Sequence, residues 1–494
     1  MATHPPSSSS APPPPDEDRR LTRRALLLGG GLLVPSVILF GALAHRSLRP
    51  SAGPHPAHGA LPTEVSQRLH RAAEAAAAGR LPLARQKASA VLTSTSGKAQ
   101  ALFILACVAL EAGDTREAET TLARLATTAP ELAELRLLER LLARRRTAPS
   151  SDWCESFRET WTELGRPDFE RTHLLTRLEP PSLPTTGDED AHAWRATPSL
   201  PARLALALTS PPLPREWAEW LLQQVPTLED PALFVATAGL LSGSTVSTAF
   251  QQRAGPVLHH KLDALARASP RAMQLQLYQQ LRDTSEDEAF TARELEALEA
   301  VAALPSWREG TGERTVLEAR RQLKEAGVPH ASRRSFALAT AAALGPAHAL
   351  LRERTEATRS QLRPGSRHVL GRILMGVGTR MADESLLVPR TLGLLMCRSA
   401  AEDLQDSESR ARFDEASDEL FAVHAEFRKA ALALWPIASL LEDAYAAAAR
   451  DECAFLRAFA SPEALHRAMA DRPDPLQCVP LPREPLSPAG PRGP

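Results

Sequence analysis

At 494 residues the chain is longer than one hydrophobic core usually serves, so two or three domains are expected. Hydrophobic residues make up 43% and charged residues 24%, which suits a folded protein, and a formal net charge of −1 with no long basic stripe after the first 50 residues excludes the electrostatic footprint of a nucleic-acid binder. Aromatic residues are only 4% and β-branched runs are nearly absent, so Leu and Ala must build the core; both favour helix, and the fold class expected is all-α.

In chain order, residues 1–24 are a Ser/Pro-rich tail, expected to be disordered, that ends in Arg19, Arg20, Arg23 and Arg24. From Ala25 to Ala44 no residue is charged, and these twenty residues, at about 1.5 Å each, reach about 30 Å, enough to cross a bilayer. The arginines in front keep the N-terminus cytoplasmic by the positive-inside rule. The expectation is a bacterial inner-membrane, single-pass protein with its bulk in the periplasm. The alternative is export after cleavage following Ala44, since Thr22-Arg23-Arg24-Ala25-Leu26-Leu27 is similar to a twin-arginine signal and Ala42-Leu43-Ala44 to a signal-peptidase site. Residues 45–62 form a Pro/Gly/Ser/Ala linker, whose His55 and His58 lack a carboxylate or thiol to complete a metal site.

Two windows of about 34 residues follow, Val65 to Lys98 and Ala99 to Leu132. Gly79 and Gly113 fall at equivalent positions, as do Ala84 and Ala118, and the second window continues with Leu122, Leu125 and Pro130. Glycine serves a turn between two helices, and a small alanine lets the second helix lie close on the first. The segment QALFILACVALEAGDTREAETTLARLATTAP resembles a tetratricopeptide repeat, and the window before it resembles a weaker copy with Ala88 and Ser96 in place of the large apolar residue and the proline. The resemblance covers residues 65–132. It implies helix hairpins with a concave, protein-binding face, lined here by Leu69, Ala73, Phe103, Cys107 and Leu110. That face would take an amphipathic helix or an apolar peptide, or else the following helices cover it as core. PELAELRLLERLLARRR, with Leu132, Leu135, Leu138 and Leu142 in a stripe, is expected to close the array, which spans 63–146.

Residues 152–178 are expected to give connecting helices, with Trp153, Phe157, Trp161 and Leu164 at helical spacing, and 179–199 a linker with an acidic patch. A larger α-helical domain is expected over 200–470, with helices starting at Pro214, Pro270, Pro346 and Pro364, and a disordered tail over 471–494. Phe413, Ala416, Leu420, Val423, Phe427, Ala430 and Leu434 form a heptad seam. It predicts a long antiparallel helix inside the domain, or self-association through 413–434. The stretch from Val369 to Ala400 predicts a buried helical hairpin, because Arg372, Arg380 and Arg390 interrupt every membrane-length run.

No catalytic residue, cofactor-binding motif or metal site emerges. Cys107, Cys154, Cys397, Cys453 and Cys478 are far apart and odd in number, and His259-His260 with Asp263 is short of a ligand set. Glu155-Ser156 is similar to the Glu-Ser pair of lytic transglycosylases, but that family's downstream Gly-Leu-Met-Gln-like signature is missing. The reading is a membrane-tethered helical scaffold or adaptor for protein–protein interactions at the bacterial cell envelope, with unknown protein partners and no nucleic acid. The alternative is an exported cell-envelope enzyme with an all-α catalytic body.

Overall fold

The computed structural model describes residues 61–466, apart from Thr95, Arg177, 179–187, Ser244, 285–287, Thr311 and Ala464. The described residues form twenty-one α-helices and three single-turn 3₁₀ segments, with no strand, so the all-α expectation holds. No helix among them is long and apolar enough to cross a membrane; the expected span at Ala25–Ala44 lies outside the described residues, as do the linker histidines and the tail over 471–494.

The first helices are two hairpins, α1 (Thr63–Ala77) with α2 (Leu81–Ser89), and α3 (Lys98–Glu111) with α4 (Thr115–Thr128), followed by α5 (Ala133–Thr147). Gly79 (φ +74°) and Gly113 (φ +72°) make the two turns in the left-handed region, where a side chain would be strained. Asp114 caps α4 by accepting from Glu117 N at 2.9 Å, and Ala84 and Ala118 are fully buried between paired helices. Next come α6 (Trp153–Glu163) and the one-turn α7 (Phe169–Thr172).

The middle of the chain holds α8 (Asp188–Ala196), α9 (Leu200–Thr209), α10 (Arg215–Gln224), α11 (Pro231–Ser242), α12 (Thr248–Ala268), α13 (Met273–Leu281) and α14 (Ala292–Ala302). It continues with α15 (Glu313–Glu325), α16 (Ala331–Leu344), α17 (Ala347–Thr358) and α18 (Pro364–Ala382). The last three are α19 (Leu387–Leu404), α20 (Ser407–Lys429) and α21 (Ala438–Phe459). Helix α8 corrects the expected 179–199 linker over residues 188–196, and its Trp194 is buried.

Packing does not follow chain order. One core joins the residues of α1–α7 to those of α19–α21, and a second is built almost wholly from α8–α18. The expected 63–146 array and 200–470 domain are therefore not separate in packing, because the last helices return to the first. Leu420, Val423, Phe427 and Ala430 of the heptad seam are buried in the first core, so most of that seam is satisfied within the chain, with Phe413 and Ala416 partly buried beside it.

The two cores meet at the hairpin of α18 and α19, the buried pair expected from Val369 to Ala400. Its helices touch at backbone distance. A Cβ on Gly393 would lie 2.4 Å from Ala382 N and 2.5 Å from Gly378 O, and one on Gly378 would lie 2.7 Å from Cys397 Sγ. Backbone atoms in a packed hairpin have no room to yield, so Gly393→Ala is expected to cost about 1–3 kcal/mol by forcing the helices apart. Gly365, with open space around its Cβ position, is the control, and Gly365→Ala should be neutral or slightly stabilising. Equal urea midpoints for Gly393→Ala and the parent would overturn this account of the hairpin.

Helix α21 fastens both cores by capping helices remote in sequence. Glu442 accepts from Ser332 N at 3.2 Å and Ser332 Oγ at 2.7 Å in the first turn of α16, and Asp443 accepts from Trp153 N at 3.0 Å at the start of α6. Glu452 accepts from Leu387 N at 2.7 Å at the start of α19, and α21 in turn is capped by Glu111, which accepts from Ser439 N at 3.1 Å. Each carboxyl group meets an amide left unpaired at a helix start. Helix α21 breaks at Asp451 (φ −156°, ψ 95°), which caps the following turn through Ala454 N, and Cys453 N beyond the break donates to Ser385 O at 3.0 Å.

Complete burial pushes the Glu452 carboxyl up to about 7, against the Leu387 amide, which favours its ionised form. The unfolded chain releases this proton near pH 4.5, so the contribution of Glu452 is intact below that pH and is lost as pH rises towards 7. Glu452→Gln keeps a carbonyl acceptor for Leu387 N and never ionises. It is expected to gain about 3 kcal/mol over the parent at pH 8 and almost nothing at pH 4.5. Urea titrations at both pH values check this, and a gain of the same size at both would refute it.

Candidate functional site

The face expected to bind a partner is filled by the chain itself. Leu69, Phe103 and Cys107 are fully buried, Leu110 is 4% exposed, and Ala73 is partly buried against the same core. Over Phe103 lies the bend between α20 and α21. Ala431 takes a left-handed conformation (φ 48°), Leu432–Leu434 form one 3₁₀ turn, and Trp435 enters the core. The Trp435 ring meets Phe103, Phe157, Phe169 and His173 edge-on, with centroids 5.5, 5.2, 5.1 and 5.0 Å away, and its Nε1 donates to Ala430 O at 3.2 Å. Edge-to-face contact is the favoured aromatic geometry, so this is a closed core and not an open groove.

His173 accepts from Leu175 N through Nδ1 at 3.1 Å, and burial holds its imidazole neutral, down at about 3.

The other residues singled out by sequence are structural. His259 pairs with Asp283 at 3.4 Å, while Asp263 accepts from Arg282 at 2.8 Å and Gln279 at 2.7 Å. Among the described residues no group of three or more His, Cys, Asp and Glu side chains is arranged to hold a metal ion. Cys107, Cys154, Cys397 and Cys453 are buried and unpaired, and burial raises all four thiols, the reverse of what activates a cysteine. Ser156 is buried, with its Oγ 3.1 Å from Ser151 Oγ. Trp194 and Trp217 stack at 4.3 Å beside Trp220, and the cationic position of this aromatic box is taken by Arg203, whose guanidinium lies 4.4 Å over Trp220.

Where α1, α2 and α8 meet α16 and α21, charges are paired in a network. Arg80 binds Glu189; Arg334 donates to Asp190 at 2.6 Å and Thr209 at 2.9 Å; Lys324 reaches Glu442 at 3.3 Å. His330 sits among them in a left-handed conformation, held low at about 4 by burial and by Arg333 and Arg334. This network joins elements remote in sequence.

Two depressions of the surface are of a size to take a ligand or a partner side chain. One, of about 460 Å³, is lined by Pro226, Pro256, Val257, His260, Lys261 and Ala264, and its cation is engaged, Lys261 Nζ donating to Pro226 O at 3.1 Å. The other, of about 750 Å³, lies along the outer face of α15 and is lined by Glu313, Arg314, Leu317, Glu318 and Arg321. At its middle Leu317 is 47% exposed, while Val316, Ala319 and Leu323 hold the opposite face of α15 in the protein. Leu317 is the most exposed large apolar side chain among the described residues, ahead of Leu395 at 43% and Phe421 at 38%, and it lies inside a ring of charges, as an interface anchor does within its polar rim. Sequence reading missed it, although the signal is present: Leu317 is the one large apolar side chain of α15 off the stripe of Val316, Ala319 and Leu323.

The chain matches no protein-family model, and comparison with curated proteins and with solved structures finds no match.

Proposed function

We propose that the protein is a helical scaffold, tethered to the bacterial inner membrane through Ala25–Ala44 with its bulk in the periplasm, that holds a protein partner on the outer face of α15. In this reading α1–α4 are two degenerate tetratricopeptide units whose groove is occupied in cis by the Trp435 bend, so the working surface lies elsewhere. The observation that carries the reading is Leu317, a large apolar side chain kept exposed amid Glu313, Arg314, Glu318 and Arg321. Burying an isolated leucine of this exposure against a partner is favourable by roughly 1–2 kcal/mol, which the protein forgoes while alone. Interface anchors of this kind sit in a polar rim that keeps the free protein soluble.

The test is crosslinking and capture of the full chain from native membranes, comparing the parent with Leu317→Glu. The substitution lies on an exposed face and should leave folding intact, which circular dichroism verifies. Partners captured by the parent and lost with Leu317→Glu support the reading. The same partners captured by both would remove α15 as the working surface.

A further inference from the structure

Resting on that reading, we infer that the occupant of the α15 face is a second copy of the same chain, docked antiparallel about a two-fold axis through Leu317. The reason lies in the order of charges along the helix. Glu313, Leu317 and Arg321 are four residues apart, so they form one ridge of α15, acid at the N-terminal end and base at the C-terminal end. Arg314 and Glu318 form the neighbouring ridge with the opposite order.

An antiparallel copy turned about Leu317 sets Glu313 against the other copy's Arg321 at both ends of the contact, with the two leucines meeting in the middle. A parallel copy sets Glu313 on Glu313 and Arg321 on Arg321. The surface is thus complementary to itself in one orientation and repulsive in the other, the property an isologous interface requires. Two acids and two bases also leave the face neutral, so copies do not repel one another on approach. Within the chain Arg321 already reaches Glu318 at 2.7 Å and Glu325 at 2.6 Å, but all three side chains are exposed. Such pairs exchange readily in solvent and do not withhold the guanidinium from a partner. One helix face is small beside the roughly 1,200–2,000 Å² of a standard interface, so the dimer is expected to be weak and to form with rising concentration.

The test uses the full chain in detergent micelles, with Cys478→Ser as background, since the other four cysteines are buried. Leu317→Cys should oxidise to a covalent dimer. Glu313→Cys mixed with Arg321→Cys should give a crosslinked heterodimer at least about tenfold more efficiently than either variant alone, because antiparallel docking brings those two positions together. In sedimentation, Glu313→Arg and Arg321→Glu should each weaken dimerisation, and the double variant should restore it. Crosslinking of Glu313→Cys with itself as efficient as the mixed pair would overturn the antiparallel arrangement. A chain that stays monomeric at every concentration, or a dimer that survives Leu317→Glu, would overturn the inference altogether. If Leu317→Glu loses captured partners from membranes while the chain is monomeric, the docking face stands and the second copy does not.

Discussion

Lowering the pH from 7 to 4 is expected to unfold the protein cooperatively, with loss of helical circular dichroism and a midpoint between pH 4 and 6. Burial holds four imidazoles in the neutral form: His173 at about 3, and His330, His348 and His424 at about 4. Their surroundings explain this. His173 lies buried among Phe103, Phe169 and Trp435, and His348 is 2% exposed, its Nδ1 on Leu344 O at 3.1 Å. His330 faces Arg80, Arg333 and Arg334 against Glu442 and Glu74, and His424 faces Arg428.

Each of these groups has its folded value below its unfolded one, near 6.5, so the unfolded chain binds the extra protons and stability falls as pH drops through that window. Each imidazole then costs about 2 kcal/mol by pH 5 and about 3 by pH 4. His173 and His348 alone therefore account for about 6 kcal/mol, a large part of a typical folding free energy. Glu452 works in the opposite direction, regaining about 3 kcal/mol between pH 7 and 4.5, too little to offset all four. A His173→Phe variant separates the effect from general acid damage. It loses the acceptor for Leu175 N, so it is less stable at pH 7.5, yet its stability falls about 2 kcal/mol less between pH 7.5 and 5. Helicity unchanged down to pH 4, or identical pH slopes for variant and parent, would refute this.

Trp435→Ala is expected to cost about 3–5 kcal/mol, the range for deleting a large buried aromatic side chain. The ring is fully buried and joins four rings from three parts of the chain, so its removal leaves a cavity that no single helix can close. Trp435→Phe keeps a ring in place and loses the Nε1 bond to Ala430 O, with an expected cost nearer 1–2 kcal/mol. Urea unfolding followed by circular dichroism orders the three proteins. If Trp435→Ala fell within about 1 kcal/mol of the parent, the bend would be a surface flap and the hairpin face beneath it would again be available to a partner.

Much of the local structure was legible in the sequence, for reasons that are themselves local. Gly79 and Gly113 mark turns because only glycine enters the left-handed region without strain. The spacing of Leu135, Leu138 and Leu142 gives the buried side of α5, and the interrupting arginines of 369–400 distinguish a buried hairpin from a membrane span. The residues of the expected groove are buried or partly buried. Whether their side is open depends on Trp435, and nothing near Phe103 in the sequence announces it.

The sequence by itself thus determined most of the helices, the turns at Gly79 and Gly113, the apolar side of several helices and the all-α class. These follow from backbone propensity and from a periodicity of 3.6, both settled within a dozen residues. The tertiary structure alone decided which apolar faces meet. Glu111 caps α21 through Ser439, 328 residues later, Glu442 and Asp443 leave α21 for different cores, and the last helices close over the first. Periodicity says that a face must be buried but not against what. The partner is selected by shape, close backbone approach such as that at Gly378 and Gly393, and the need of every helix start for an acceptor, and these are properties of the whole folded chain.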